Sequence, residues 1–157
     1  RKFEFNNGEL HQVWGSEVPL INTSNSGRRG VKRSQHALVI NAPAESSLDT
    51  REKLLTAWYV QEVKSAALAL VDKWEPVLGV KAGRLSAQKM KSKWGSCNIQ
   101  NGNIRLNSEL AKFPKGALEH VIVHELVHLL EPSHGKRFYS LMDEFLPNWK
   151  ALKALTG

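Results

Sequence analysis

Apolar positions along the chain recur with two different periods, and the change of period predicts the order of its elements. Short apolar runs broken by NNG, NTSNSG and other polar turns predict a small β region from Phe3 to about Ile40. After SSLDT, apolar residues recur three and four positions apart, which predicts one long helix that stops at Pro76. The first half of the chain is therefore predicted to run from strands into a long helix.

The second half is predicted to repeat this change from strands to helices. In GRLSAQKMKSKWGSC, apolar Met90 and Trp94 alternate with lysines, as in a half-buried strand, and Asn101–Gly102 predicts a hairpin turn into NIRLN. The next helix is predicted over Ala117–Leu130. Two further helices are predicted from apolar residues at Phe138, Leu141, Met142, Phe145 and Leu146 and at Trp149, Leu152 and Leu155.

Composition narrows the class of protein. The 157 residues are 41% hydrophobic and 24% charged, which is typical of one globular unit and not of a disordered or fibrous chain. No apolar run approaches the roughly 20 residues of a membrane helix, and RKFEFNNGEL lacks the apolar core of a signal peptide. The single cysteine, Cys97, cannot form an internal disulfide and suits a reducing compartment. We therefore predict a cytoplasmic protein without membrane contact and of unknown oligomeric state.

The net charge of +7 is concentrated in two segments that contain no acidic residue. The bases in these segments are Arg28, Arg29, Lys32 and Arg33 in the first and Lys81, Arg84, Lys89, Lys91, Lys93 and Arg105 in the second. If the segments share one face, that face attracts phosphate backbones or acidic substrates without regard to their sequence. DNA association through a basic face is therefore a hypothesis for this chain.

The strongest chemical signal is the stretch HELVHLLEPSH, which begins at His124. On a helix, His124 and His128 lie one turn apart on the same face, so that both imidazoles can reach one metal ion. Glu125 can then hold a water at the open position and take its proton. His134 completes three ligands if the helix ends near Leu130 and the following Glu-Pro turns the chain back. Three protein ligands and a water are typical of a catalytic zinc site, with one Zn²⁺ per chain.

Other interpretations of this stretch remain open. Glu131 or Glu144 could replace His134 as the third ligand, as a downstream glutamate does in other zinc enzymes. Cys97 could be the third ligand, because peptide deformylases combine an upstream cysteine with HExxH and hydrolyse a formyl amide. A third hypothesis is a non-catalytic module that keeps zinc structurally and docks on nucleic acid or a protein partner. Structural zinc sites usually close all four positions with protein ligands, and only three are apparent here.

Longer motifs around this stretch resemble a known family. KMKSKWGSC, GNIRLNSEL, EHVIVHELVHLLEPSHGKRFYSLM and LPNW resemble the YgjP-like zinc metallopeptidase family, a relative of the SprT-like proteases, from about Trp58 to Trp149. The resemblance implies an α+β, zincin-like fold with a long backing helix, a small antiparallel sheet and an HExxH active-site helix, preceded by a partial β region. It also implies that residues 1–45 are the remainder of a longer amino-terminal β portion and that residues 46–157 form the metallopeptidase domain.

The resemblance carries functional residues with it. It implies that Zn²⁺ is held by His124, His128 and His134, and that Glu125 is the general base for hydrolysis of a protein or peptide substrate. In zincins, an edge strand tends to pair with an extended substrate. This role would fall on Asn103, Ile104, Arg105, Leu106 and Asn107. The candidates for stabilising the oxyanion are Tyr139, Arg137, Arg105 and His120. The kinship with SprT-like proteases implies that DNA-associated proteins are a candidate substrate.

Overall fold

The computed structural model describes residues 2–157, which fold into two small sheets, one long helix and three shorter helices. The buried apolar residues of all these elements form one contiguous core. Within residues 2–157, no helix combines the length and the apolar character that a membrane span requires. Separate sheets and helices around a shared core confirm the predicted α+β class. The division of the chain at residue 45 stays a prediction.

The first sheet lies at the start of the chain. Its strands are β1 (Leu10–Val13), β2 (Ser16–Thr23), β3 (Gly30–Arg33) and β4 (Leu38–Asn41), in the order β1-β2-β4-β3. β2 and β4 are parallel, and the other two pairs are antiparallel. Alternate side chains are buried, namely His11, Val13, Val18, Leu20, Leu38 and Ile40. This period of two confirms the predicted β region, since one face of the sheet packs on the core.

The long helix α1 (Leu48–Leu78) backs the whole molecule. The side chain of Ser47 accepts a hydrogen bond from the backbone N–H of Thr50 at the helix start. Along its length one stripe of side chains is buried, made of Leu55, Tyr59, Val63, Ala67, Val71, Trp74 and Leu78. The stripe packs against the second sheet and the next helix. The predicted long helix and its backing position are confirmed.

The end of α1 differs from the prediction. Pro76 does not stop the helix but lies inside its last turn, and the helix continues to Leu78. Gly79 then ends it with a φ of 69°, and its N–H donates to the carbonyl of Glu75 at 2.8 Å. A proline in the last turn removes one backbone donor, and burial of Trp74 and Leu78 on either side of it offsets that cost.

The second sheet contains β5 (Leu85–Gln88), β6 (Gly95–Cys97) and β7 (Ile104–Asn107), in the order β5-β7-β6. β6 and β7 form the predicted hairpin, joined by residues 98–103. Two details of the prediction are wrong. β5 runs parallel to β7, so the sheet is mixed and not antiparallel throughout. The strand predicted across GRLSAQKMKSKWGSC is two strands separated by residues 89–94.

A buried amide explains this interruption. Asn107 is 4% exposed, and its Nδ2 donates to the carbonyl of Met90 at 3.0 Å and to that of Lys93 at 2.9 Å. Its Oδ1 accepts from the backbone N–H of Glu109 at 3.0 Å. These bonds hold residues 89–94 out of the sheet as a loop. Asn107, predicted to contact substrate, therefore has a structural role that the apolar pattern did not indicate.

The histidine-bearing part of the chain is helical. After a 3-10 helix over Ser108–Lys112 come α2 (Lys115–Val127), α3 (Lys136–Phe145) and α4 (Trp149–Lys153). All three predicted helices are confirmed. α2 lies deepest, and its fully buried side chains are Leu118, Ile122, Val123, Leu126 and Val127. Because it is enclosed by core on most sides, α2 is a rigid support for the polar residues on its remaining face.

Candidate metal centre

Two of the predicted ligands lie one turn apart at the end of α2. The Nε2 atoms of His124 and His128 are 3.3 Å apart. His128 is the last residue held by the helix, because its backbone N–H donates to the carbonyl of His124. The spacing of four residues thus brings both imidazoles to one point, as the sequence predicts.

The third histidine returns to this point through the loop between α2 and α3. The Nε2 of His134 lies 3.1 Å from the Nε2 of His124. Arg137 braces the loop, since its guanidinium donates to the carbonyl of Leu130 at 2.8 Å and pairs with Glu131 at 3.2 Å. The hydroxyl of Ser133 also donates to Glu131 at 2.9 Å. The turn that positions His134 is therefore built from side-chain contacts within the loop and the first turn of α3.

A backbone contact fixes the proton on one of the rings. Nδ1 of His128 lies 3.2 Å from the carbonyl oxygen of Glu131. A carbonyl oxygen can only accept, so Nδ1 carries the hydrogen and Nε2 of the neutral ring keeps its lone pair. That lone pair faces the other two histidines. Such an outer contact is what orients a histidine for metal binding.

The three nitrogens fit a metal ion. The ligand atoms of His124, His128 and His134 all lie within 4.8 Å of one another. Tetrahedral zinc with Zn–N bonds of about 2.0–2.1 Å places its nitrogens about 3.4 Å apart. The measured separations of 3.1 and 3.3 Å are close to this value. Within residues 2–157, no second group of His, Cys, Asp or Glu comes together in this way.

The surroundings of His124 and His128 keep these two rings neutral. Burial, followed by the neighbouring rings of His128 and His120, lowers the pKa of His124 to about 3. Burial is also the largest cause of the lowered pKa of His128. Neutral imidazole is the form that binds metals, so the rings of His124 and His128 do not need to lose a proton first.

Glu125 is buried beside the histidines, with 6% of its surface exposed. Burial raises its pKa to about 7, against a lowering effect of the Lys93 charge. A carboxylate with such a pKa can both accept and return a proton near neutral pH. Its Oε2 would be 3.5 Å from a Cβ built on Gly95, and the same Cβ would lie 2.7 Å from Cγ1 of Val121. Only glycine lets β6 pass this close to α2.

The edge position predicted for the candidate substrate strand Asn103–Asn107 is wrong. Asn103–Asn107 was expected to be an edge strand, but β7 lies between β5 and β6 and is paired on both sides. Its backbone groups are already used, so an extended peptide cannot add to it. Strand order is set by tertiary pairing, which the alternation of apolar residues does not encode.

β6 is the edge strand that lies over Glu125. Just before β6, the carbonyl oxygen of Trp94 accepts a hydrogen bond from the backbone N–H of Asn107 at 2.9 Å. Just after β6, the backbone N–H of Asn98 donates to the carbonyl oxygen of Asn103 at 2.9 Å. Antiparallel strands bond through every second residue, so Trp94, Ser96 and Asn98 face β7. The backbone N–H and C=O groups of the residues between them, Gly95 and Cys97, therefore point to the open edge.

The ring of Phe138 contacts all three histidines. The sequence did not indicate this role at the candidate metal site. Phe138 is fully buried, and its ring centroid lies 4.8 Å from that of His124, 4.6 Å from that of His128 and 4.9 Å from that of His134. The apolar pattern places Phe138 on the core face of α3. Only the tertiary structure shows that the side chain at this core position packs against the histidine cluster.

The predicted oxyanion stabilisers have different surroundings. Arg137 is engaged with the loop carbonyl of Leu130 and with Glu131. The ring of Tyr139 is 38% exposed and stacks on His134 with centroids 6.4 Å apart. His120 is buried one turn before His124. Arg105 lies on the outer face of the second sheet. Their role in stabilising an oxyanion stays a prediction.

The alternative third ligands are not favoured. Cys97, Glu131 and Glu144 do not belong to the cluster of ligand atoms. Burial, together with the charge of Glu125, raises the pKa of the Cys97 thiol to about 11, whereas a metal ligand must be a thiolate. The carboxylate of Glu131 is occupied by Ser133 and Arg137.

Similarity to known proteins agrees with this geometry. The model of the YgjP-like family, metallopeptidase domain, matches residues 1–155. The chain belongs to the YgjP-like family. The metallopeptidase zymogen abylysin of Pyrococcus abyssi is 17% identical, with 56% of this chain and 89% of that chain covered and a TM-score of 0.51. The metallopeptidase zymogen jannalysin of Methanocaldococcus jannaschii is 19% identical, with 59% of this chain and 90% of that chain covered and a TM-score of 0.47. No curated protein matches the chain significantly.

The predicted family and fold are therefore confirmed, and this YgjP-like chain is a metallopeptidase. The likeness to abylysin shows a shared fold over just over half of the chain. The histidine cluster is the group of side chains in residues 2–157 that suits the metal of such an enzyme.

Proposed function

We propose that this YgjP-like chain is a zinc-dependent peptidase in which His124, His128 and His134 hold the ion and Glu125 is the general base. The observation that carries the proposal is the convergence of three Nε2 atoms beside a buried carboxylate. Three imidazole ligands suit a divalent ion such as zinc and leave a position for water and substrate. One ion is expected per chain.

The ion, when bound, supplies a Lewis acid that polarises the scissile carbonyl and makes water more acidic. Glu125 takes the proton of the attacking water and returns it to the leaving amine. Its pKa of about 7 suits both steps. Phe138 keeps bulk water away from one side of the histidines, because its ring covers all three.

We further propose that the substrate pairs with the open edge of β6. The free backbone groups of Gly95 and Cys97 can accept an extended peptide as a further strand. Gly95 lies beside Glu125, so a peptide in this place passes its backbone over the general base. This assignment replaces the one that the sequence placed on Asn103–Asn107.

Removal of the metal tests the proposed function. Protein purified without added metal is expected to contain about one zinc per chain by mass spectrometry and to cleave denatured casein. Treatment with 1,10-phenanthroline should abolish cleavage, and stoichiometric zinc should restore it. Cleavage that persists after the zinc has been removed would contradict the proposal, and so would zinc-loaded protein that cleaves no denatured protein or peptide.

A narrower hypothesis is that the enzyme acts on DNA-associated proteins. Lys89, Lys91 and Lys93 line a groove of about 710 Å³ together with the aromatic rings of Trp94 and Phe113. No ion pair within residues 2–157 involves these three lysines. Unpaired cations beside half-buried aromatic rings that line a groove suit the phosphates and bases of nucleic acid. The bases of the other segment, at Arg28, Arg29, Lys32 and Arg33, line a separate cavity along β3.

Salt-dependent DNA binding tests this narrower hypothesis. The double variant Lys89→Gln/Lys91→Gln is expected to bind a fluorescent duplex about tenfold more weakly, with the slope of log K against log salt reduced by about 2. Lys136→Gln/Lys150→Gln removes the same charge outside the groove and serves as the control. Wild type that does not bind the duplex at low salt, or an equal loss in both double variants, would exclude this groove as a DNA site.

A further inference from the structure

A cavity of about 320 Å³ opens directly beside the histidine cluster. It lies between α2, α4 and the loop that precedes β6, and His124 and Glu125 form part of its wall. Trp94, Val121 and Leu152 supply an apolar lining. The cavity is therefore a continuation of the proposed active site and is large enough for one amino-acid side chain.

Two lysines give this cavity a positive charge. Lys93 enters it from the loop before β6 and Lys153 from α4. Among the side chains of its lining, as far as residues 2–157 are concerned, that of Glu125 is the one acidic group, and the proposed reaction uses it; Thr156 and Gly157 complete the wall next to Lys153. Both lysines line the same cavity as Glu125 and His120, so their charges lie close to any group bound there.

The wall also contains a buried polar atom without a partner. His120 is 8% exposed, and its Nε2 has no hydrogen-bond partner within residues 2–157. The ring is held between Trp149, on which it stacks with centroids 6.2 Å apart, and His124 at 5.8 Å. A buried polar atom without a partner is costly, and an oxygen atom of a bound group would remove that cost. His120 thus adds a neutral hydrogen-bonding atom to the two lysines.

The direction of β6 determines which substrate residue reaches the cavity. A peptide that pairs antiparallel with β6 runs from the Cys97 end towards the Gly95 end. Its later residues therefore approach Trp94 and the cavity. With the scissile bond beside Glu125, the residue that follows this bond would be the one nearest the cavity.

We propose that this cavity is a carboxylate-binding subsite, in which Lys93, Lys153 and His120 select an acidic residue directly after the scissile bond. The inference rests on the proposed function, because it assigns a substrate residue to the same active site. The apolar lining contacts the methylene groups of the substrate side chain, and the lysines at the rim pair with its carboxylate. Glutamate, with two methylene groups, fits this arrangement.

A matched peptide pair tests the subsite. Zinc-loaded wild type first cleaves a peptide library with random residues, and mass spectrometry of the products identifies the residue after the scissile bond. Two peptides that differ only by Glu or Gln at that position are then compared. The ratio of kcat/KM for Glu over Gln is expected to be about tenfold, the size of one charge-assisted hydrogen bond. Equal kcat/KM for the two peptides would overturn the proposal.

Lysine variants connect the preference to the cavity. In Lys93→Gln/Lys153→Gln the ratio is expected to fall to about one, whereas Lys150→Gln, on α4 but outside the cavity, should keep it. The ratio is the useful quantity because Lys93 also influences Glu125, and that effect is the same for both peptides. A preference that persists in the double variant would contradict the assignment to this cavity.

Amidation of the carboxyl end of the peptide distinguishes a side-chain carboxylate from a terminal carboxylate as the bound group. If the preference for Glu is the same in peptides with free and amidated carboxyl ends, the subsite binds a side chain. If a free carboxyl end is required and Gln is then accepted, the subsite binds a terminal carboxylate. The first result supports the proposal, and the second, in which the Glu and Gln peptides are cleaved equally, overturns it.

A failure of the proposed function can be recognised separately. If zinc-loaded wild type cleaves no peptide, the proposed function is wrong, and the subsite is then tested by binding alone. Fluorescence anisotropy with zinc-loaded Glu125→Gln measures the affinity for the Glu and Gln peptides. Tighter binding of the Glu peptide, lost in the lysine double variant, would support the subsite, and equal binding would overturn it.

Discussion

Replacement of Glu125 by Gln is expected to lower kcat/KM for peptide cleavage by about 10²- to 10⁴-fold, the usual contribution of a general base. Gln has nearly the same shape but cannot take a proton from water. Since Glu125 is buried and does not belong to the ligand cluster, zinc content should stay at one ion per chain. Quenched-fluorescent peptides give the rate, and mass spectrometry of the same preparation gives the zinc content.

A matched control separates this effect from a general loss of charge. Glu144→Gln removes a carboxylate from the exposed surface of α3 and should leave kcat/KM within about twofold of the wild type. An active Glu125→Gln variant would exclude Glu125 as the base. It would instead support a differently organised catalytic zinc site, whereas the non-catalytic hypothesis that the sequence left open requires that the wild type cleaves no peptide either.

The histidine positions could be predicted because their spacing is local. A separation of four residues on a helix fixes the relation of His124 to His128 before any tertiary contact is known. To place His134 beside the other two histidines, we also had to assume that the helix ends near Leu130. In the structure α2 ends three residues earlier, at Val127, so the chain can turn back as assumed. The contacts of Arg137 and of the Glu131 carbonyl that orient this loop could not be predicted, because they depend on side chains folding back across it.

The strand that binds substrate could not be predicted, because alternation of apolar residues indicates which face of a strand is buried and not which neighbour it has. β7 carries the most strongly apolar strand pattern in this part of the chain, and for that reason it is central and paired on both sides. The exposed edge belongs to β6, a short strand with glycine at its start. The apolar pattern thus indicates β7, whereas the strand pairing indicates β6. Only the strand pairing determines where a peptide can add to the sheet.

The second large effect that we expect is a loss of zinc affinity when one of the three histidine ligands is removed. In His134→Ala, two imidazoles remain on α2, and zinc affinity is expected to fall by at least about 100-fold, since even changes to groups behind the ligands cost 10- to 100-fold. The loop that carries His134 is exposed, so the metal-free variant should unfold at nearly the same temperature as the metal-free wild type. Competition with a chromophoric zinc chelator measures the affinity.

His36→Ala is the matched control, because His36 is exposed in the first sheet region and outside the ligand cluster. It removes the same atoms and should leave zinc affinity unchanged. Full zinc retention in His134→Ala would exclude His134 and move the third ligand to another residue, with Cys97 and Glu131 as the next to replace. Loss in His134→Ala together with retention in His36→Ala would instead assign the third ligand to the loop. The contacts of that loop with Arg137 would then be part of what holds the metal.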